Sequence, residues 1–474
     1  MIDDIEELKD KRKIDQLLRI LQEETKKRRA DAAKVLGMMK SSRERDDVSS
    51  ALVERLKEDE EATVRANAAL ALGHLKSATG KKALKAAAED DDWEVRHDAA
   101  IAMGEYEEDY FIDTLYSLLD DEEDDVKRKS IEALGKIGSE TKSDQIVSRL
   151  EKFLDEPLFE EEVVRAVSQI DTERGLRVLS DIYKNGQREI RETAINGVGK
   201  IEGEKADRLL INALEDESWR IREDAARLLG ARGTKKAVEP LLEILESDDE
   251  KDHVVQEAMK ALGSLVTKDK KSSILDKIEE KIRDDEPETR MAAAEALEKI
   301  NDEKAAELLF EALKQGQNPR VLWAMADSLS SLSKKHLKEL KEEVDEIENS
   351  RKVFAAVGMG KAGFSSYLEE LLSMLADERW KVRQKAAESL RNIDAKDISK
   401  NKAERTLKKL SKTMKDNDKW VRVESVRSLG EMIFDLRKRV ETEEFKKELL
   451  KRAEVEADED VIDAIERAKN LLDI

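Results

Sequence analysis

The stretches Val64-Arg-Ala-Asn-Ala-Ala-Leu-Ala-Leu-Gly73, Val95-Arg-His-Asp-Ala-Ala-Ile-Ala-Met-Gly104 and Ile221-Arg-Glu-Asp-Ala-Ala-Arg-Leu-Leu-Gly230 are copies of one pattern, and they decide the fold. Val421-Arg-Val-Glu-Ser-Val-Arg-Ser-Leu-Gly430 repeats it near the other end, with looser copies at Val126–Gly135, Ile190–Gly199 and Val382–Arg391. Fainter copies begin near Arg28, Val164, Val254, Thr289, Val321 and Arg351. Most starts lie about 31 residues apart, giving roughly thirteen units, and a period of that size marks a repeat architecture.

Each unit reads as two helices. The first is leucine-rich, as in Ala237-Val-Glu-Pro-Leu-Leu-Glu-Ile-Leu245, with apolar residues at three- and four-residue spacing that form one buried stripe. An acidic turn follows: Asp90-Asp-Asp-Trp-Glu94, Asp216-Glu-Ser-Trp-Arg220 and Asp377-Glu-Arg-Trp-Lys381. Its side chains suit the unpaired N–H groups and the positive end of the next helix. The second helix starts at the Val-Arg pair, and Val64, Ala68 and Leu72 fall on a single face. Gly73, Gly104, Gly135, Gly199 and Gly230 are expected to end it in the left-handed conformation that glycine accepts. The turn tryptophans Trp93, Trp219 and Trp380 are expected to close over the seam between hairpins.

This hairpin, with its acidic turn, Val-Arg pair, paired alanines and terminal Leu-Gly, resembles the short HEAT-like repeat of the phycobilisome-lyase group and of many prokaryotic repeat proteins. The resemblance covers nearly the whole chain and implies an all-α fold, an α-solenoid in which HEAT-like hairpins wind into a right-handed superhelix. It also implies that the second helices line the concave face. An Asp–Arg ladder between successive repeats would then include Arg65, Arg96, Arg165, Arg191, Arg222, Arg290, Arg383 and Arg422. Two departures from the family pattern stand out. Trp occupies the turn position where Pro is common, and Gln256, Leu322 and Lys352 replace the Arg, so the stack is expected to be irregular between residues 250 and 360.

The bulk composition agrees with a repeat protein. At 474 residues the chain exceeds what one compact core supports. With 42% charged and 4% aromatic residues and four prolines, it suits long exposed helices. The expected organisation is an N-terminal capping helix at 1–27, repeats at 28–314, an irregular region at 315–365, repeats at 366–440 and C-terminal capping helices at 441–474.

Chemistry is sparse. A net charge of −22 repels polyanions, which disfavours general binding of nucleic acid or anionic membrane. Without cysteine there is no disulfide, thiolate nucleophile or Cys-ligated metal, and a reducing cytoplasm is the expected location. The start, Met1-Ile-Asp-Asp-Ile-Glu-Glu7, lacks the basic-then-apolar pattern of a signal peptide, and no stretch approaches a membrane span. HEAT-like deoxyhypusine hydroxylases carry paired His-Glu motifs for iron, whereas the four histidines here, His74, His97, His253 and His336, form no His-Glu dipeptide. Gly358-Met-Gly-Lys-Ala-Gly363 matches a dinucleotide fingerprint in letters, but it sits at a helix end and lacks the strand that the fingerprint requires. No catalytic residue, cofactor or metal is expected.

The functional expectation is therefore a non-enzymatic protein-binding scaffold. Positions two, three and six after the Val of each second helix should line the inner curve. Among them Asp98, Glu192, Glu223, Asp224, Arg227, Lys385 and Glu388 are the candidate partner-binding residues, with a basic-surfaced protein as the expected partner. A rival class is a nucleic-acid-binding solenoid resembling the HEAT-like alkylpurine DNA glycosylases. It would use the local basic patch of Lys400, Lys402, Arg405, Lys408, Lys409 and Lys412, although spacing around Leu407, Leu410 and Met414 also suits an ordinary solvated helix face. A lyase-like enzyme or chaperone of the HEAT-like group is the third class. Trp323, Met325, Phe354, Met359 and Phe364 gather in the irregular region as core or as a docking patch.

Overall fold

The computed structural model describes residues 14–474 except 24, 44, 248, 317, 339 and 341–348. Most of the expected N-terminal cap, residues 1–13, lies outside the described residues. Among those described there are helices and no strands, as the alternation of leucine-rich and Val-Arg segments requires. The chain divides into two compact units, Met1–Arg232 and Gly233–Ile474.

Unit one opens with α1 (Ile14–Glu23), α2 (Lys26–Met38), α3 (Asp46–Glu58), α4 (Ala62–Leu75), α5 (Lys81–Ala87), α6 (Trp93–Tyr106) and α7 (Ile112–Leu118). It continues with α8 (Asp124–Thr141), α9 (Asp144–Leu150), α10 (Glu160–Val167), α11 (Glu173–Asn185), α12 (Arg188–Val198), α13 (Glu204–Ala213) and α14 (Trp219–Arg232). Unit two opens with α15 (Val238–Glu246), α16 (Asp252–Leu265), α17 (Lys271–Lys281), α18 (Pro287–Ile300), α19 (Glu303–Gln315), α20 (Pro319–Ser331) and α21 (Lys334–Leu337). It ends with α22 (Asn349–Lys361), α23 (Leu368–Met374), α24 (Trp380–Leu390), α25 (Lys400–Thr413), α26 (Lys419–Leu436), α27 (Glu443–Val455) and α28 (Glu459–Leu472). Odd and even helices are the first and second members of successive hairpins, and within each unit each second helix packs on its neighbouring second helices.

The acidic turns start the second helices as their chemistry suggests. Asp92 accepts from Glu94 N–H at 2.9 Å, and Asp418 accepts from Trp420 and Val421 N–H at 2.9 and 3.2 Å. The apolar face behind them is fully covered: Val64, Ala68 and Leu72 are 0% exposed, as are Val95, Ala99 and Met103. Trp219 is half-buried, but Trp93 and Trp380 do not close over the seam as expected. Trp93, Trp380 and Trp420 sit at or next to the first helical residue and stay 39, 43 and 43% exposed.

The glycines do not end the second helices as expected. Gly73, Gly104 and Gly135 lie inside α4, α6 and α8, and Gly230 lies inside α14. Gly199 follows α12 with an ordinary right-handed φ of −58°. Left-handed caps fall instead on Lys76, Glu107, Lys142 and Asn301, with φ of 50, 58, 49 and 47°. What demands glycine is the next second helix. A Cβ on Gly73 would stand 2.7 Å from Ala102 Cα, and one on Gly104 would stand 2.9 Å from Ala133 Cβ. Gly37 against Ala71, Gly135 against Ala166, Gly263 against Ala296 and Gly430 against Ala468 repeat the notch. The repeated glycine therefore sets how closely consecutive second helices approach.

In the region expected to be irregular, α20 and α22 are full second helices, and their buried Trp323 and Phe354 rings meet edge to face at 4.6 Å. Residues 341–348 lie outside the described residues. At the C-terminal end, α27 and α28 form one more hairpin, with Val461, Ala464 and Ile465 buried.

Candidate partner-binding faces

The residues that hold each second helix in place are arginines. The Val of the Val-Arg pair points into the core, which leaves the Arg at the turn edge, one helical residue later. Arg65 and Arg96 donate from Nη1 to the carbonyls of Asp59 and Asp90 in their own turns, both at 2.9 Å. Nε and Nη2 then form a fork on the first aspartate of the next turn. Arg65 reaches Asp90 at 2.8 and 2.7 Å, Arg96 reaches Asp121 at 2.7 and 2.9 Å, and Arg383 reaches Asp416 at 2.8 Å twice. Arg191 pairs with Asp216, and Arg422 reaches Glu456 at 3.0 and 3.2 Å. Planar guanidinium on carboxylate is the strong form of such a bond.

Each carboxylate is also committed to its own turn, so one aspartate joins two repeats. Asp90, Asp121 and Asp416 accept from Asp92, Glu123 and Asp418 N–H at 3.0, 2.9 and 2.9 Å. Burial pushes Asp90 up, but the Arg65 fork and the Asp92 N–H outweigh it and hold the carboxyl below its usual range. The same balance lowers Asp59, Asp121 and Asp416. At Glu456 burial is overcome by Arg452, Arg422 and two backbone N–H groups, and its pKa falls to about 2.

The ladder departs from expectation at three arginines. Arg29 belongs to it, with Nε and Nη2 on Asp59 at 2.7 and 2.9 Å, although Lys26-Lys-Arg-Arg29 reads as a plain basic cluster. Arg165 does not: it pairs with Glu161 one turn back on its own helix and is 62% exposed. Asn185 stands where the next aspartate would be, so no carboxylate of the next turn faces it. Arg290 keeps the turn bond, donating to Asp285 O at 2.9 Å and to Asp284 O, but among the described residues no carboxylate lies within ion-pair distance of it.

The candidate residues on the second helices are partly covered. Asp98 on α6 is engaged by His97 Nδ1 at 2.8 Å. Glu192 on α12 lies 3.7 Å from Arg188, while Glu223 is half-buried on α14. Asp224 and Arg227 are brought together: Arg227 donates to Asp224 and, at 2.9 Å, to Asn196 Oδ1, and Asn196 donates to Asp224 at 2.8 Å. In unit two, Lys385 and Glu388 of α24 join Lys361 of α22 and Asp327 of α20 in one cluster across three second helices. Burial pushes Glu388 up, yet Lys361 and Lys385 hold it below its usual range. Much of the charge that reads as an open inner surface is thus neutralised within the chain.

The basic patch lies on α25, a first helix. Arg405 pairs with Glu369 at 2.8 Å, Lys409 donates to Leu372 O at 2.7 Å, and Lys400 lies 3.9 Å from Glu404. Lys402, Lys408 and Lys412 are exposed, and Lys409 and Lys412 line an open cavity of roughly 620 Å³ beside the Arg383–Asp416 pair. Among the described residues no group of His, Asp and Glu is placed to hold a metal, and no helix is long and apolar enough to cross a membrane.

Paired helices, buried alanine faces and a repeating Arg–carboxylate bond between consecutive turns define an α-solenoid. A profile of HEAT repeats matches residues 49–128, 112–199, 182–263, 206–278, 250–330 and 368–469, and the chain belongs to the HEAT-repeat family. No curated protein matches it by sequence. Among solved structures, it is similar to Kap95p in a complex with RanGDP (11% identity, TM-score 0.52, covering 97% of this chain and 72% of that one). It is also similar to Kap95 in a complex with Nup1 (11%, 0.59, 96% and 72%) and to Kap121p bound to Pho4p (14%, 0.53, 98% and 54%). The chain thus spans about half the length of the Kap121p structure. At such identities the likeness is one of fold.

Proposed function

We propose that this protein is a non-enzymatic scaffold that binds another protein on the layer of second helices, and that in unit one the partner presents a basic surface. One observation carries this reading. Asp98 sits on α6, which the Gly–Ala notches and the Arg96–Asp121 pair hold against its neighbours, and Glu192, Glu223 and Asp224 sit on α12 and α14, whose turns the Arg191–Asp216 pair joins. Preorganised charge of this kind gives specificity and speeds association more than it adds affinity. Support by analogy comes from the structural relatives, which are seen with protein partners: RanGDP, Nup1 and Pho4p.

The test is affinity capture from native lysate with the full chain beside the variant Asp98→Lys/Glu192→Lys/Glu223→Lys/Asp224→Lys, both checked for helical content and melting temperature. A protein held by the first bait and lost by the folded second supports the reading. The same proteins on both baits would reject this face. The exposed Lys402, Lys408 and Lys412 of α25 favour a second reading, binding of nucleic acid. A steeply salt-dependent shift of duplex DNA, abolished by Lys402→Ala/Lys408→Ala/Lys412→Ala, would put that reading in place of the first.

A further inference from the structure

The ladder is broken on both sides of one turn in unit two, and the break leaves a clamped arginine facing a cavity. Aligned on the turns Asp90-Asp91-Asp92-Trp93 and Asp377-Glu378-Arg379-Trp380, the segment Gly316-Gln317-Asn318-Pro319 puts glycine where the ladder aspartate stands elsewhere. Leu322 likewise occupies the Arg position of that repeat. The two substitutions fit each other, since Leu322 Cδ2 lies 2.7 Å from where a Gly316 Cβ would be. An apolar contact has thus replaced an Asp–Arg contact.

Arg290, one repeat earlier, is the arginine that loses its aspartate. Arg165 loses its own to Asn185 and relaxes onto Glu161 in solvent. Arg290 does not relax. Its Nη1 stays bonded to the carbonyls of Asp284 and Asp285, the same pose that aims Nε and Nη2 of Arg65, Arg96 and Arg383 at a carboxylate. The guanidinium lines a cavity of roughly 500 Å³ together with Arg283, Asp284, Gln315, Gly316 and Asn318. Asn318 accepts from Arg320 N–H through Oδ1, which leaves its Nδ2 as a second donor at the wall.

We propose that Arg290 is a receptor for a single carboxylate supplied from outside the chain, an Asp or Glu side chain or a C-terminal carboxylate of a bound polypeptide, which completes the ladder at this turn. Carboxylate is favoured over phosphate for two reasons. The guanidinium is held in the pose that fits a carboxylate at the other turns. Asp284 and Asp285 on the same wall also oppose a dianion more than a monoanion. Screening beyond about 8 Å at physiological salt lets this local arrangement act despite the chain's net charge of −22. The site lies on the turn edge and does not depend on the second-helix face proposed above.

The test uses the full chain and a fluorescein-labelled peptide, Asp-Glu-Ser-Trp, that copies a ladder turn, read by anisotropy at constant ionic strength. Saturable binding is expected, weakened about tenfold or more by Arg290→Gln and unchanged by Arg165→Gln. The variant Gly316→Asp/Leu322→Arg rebuilds the ladder from within, so it should lose the peptide and melt at a higher temperature. It keeps the test decisive should Arg290→Gln fold poorly. Acetate competing better than inorganic phosphate agrees with carboxylate selection. Competition by succinate as strong as by the unlabelled peptide would mean that a free small carboxylate, not a polypeptide, is the ligand, and would overturn the choice of source. Undiminished binding to the rebuilt variant, or phosphate as the stronger competitor, would overturn the site.

Discussion

Arg96 is the ladder arginine whose surroundings are most closed: its side chain is 9% exposed and that of its partner Asp121 is 7% exposed. Such a pair gains little over well-packed apolar residues, but removing one member strands the other, which typically costs about 3 kcal/mol or more. Asp121→Ala also takes away the acceptor for Glu123 N–H. Loss of about 3 kcal/mol is therefore expected on urea unfolding, against less than about 1 kcal/mol for Glu161→Ala, which frees only the exposed Arg165. Equal losses would mean that the ladder does not bind repeats together. The ladder was legible through the Val-Arg pairs and the family resemblance, because the pattern fixes the spacing from arginine to turn. Its failures were not legible in the arginines themselves. They are written in the partner turns, at Asn185 and Gly316, and become visible only when turns rather than helices are aligned.

At the scale of the element, the repeated glycine was easy to find and its role was misread. A glycine near a helix end ordinarily suggests a left-handed cap, and sequence gives no measure of how near the next helix comes. The two roles predict opposite results at neighbouring positions of α6. If Gly104 were the cap, Gly104→Ala would act through backbone strain. As observed, its Cβ would press on Ala133, and a loss of about 1–3 kcal/mol is expected from overpacking. Glu107 holds the left-handed position at φ 58°, and Glu107→Gly should stabilise by up to about 1 kcal/mol. Thermal melts of the two variants decide between the roles, and a stabilising Gly104→Ala would contradict the notch. The tryptophans teach a related lesson. Their place at the start of the second helices was readable, while their exposure depends on neighbours that one repeat does not specify.

For the whole molecule, repetition made the fold readable, since each hairpin states the same architecture again. Function was less readable, because face residues such as Glu388 spend their charge on Lys361 and Lys385, which no repeat rule anticipates. The same carboxylates make stability depend on pH. Asp59, Asp90, Asp121, Asp416 and Glu388 are held below their usual range in the folded chain, and Glu456 falls to about 2. In the unfolded chain such groups titrate near 4. Between these values the unfolded state binds more protons, so stability rises with pH. The contribution is complete above about pH 5 and disappears as pH falls through the folded values. Melting temperature should therefore be level from neutrality to about pH 5 and drop steeply below it. The drop should be shallower in Asp121→Asn, which has one fewer such group to protonate. Parallel slopes for the variant and the natural chain would mean that the ladder carboxylates do not govern the acid limb.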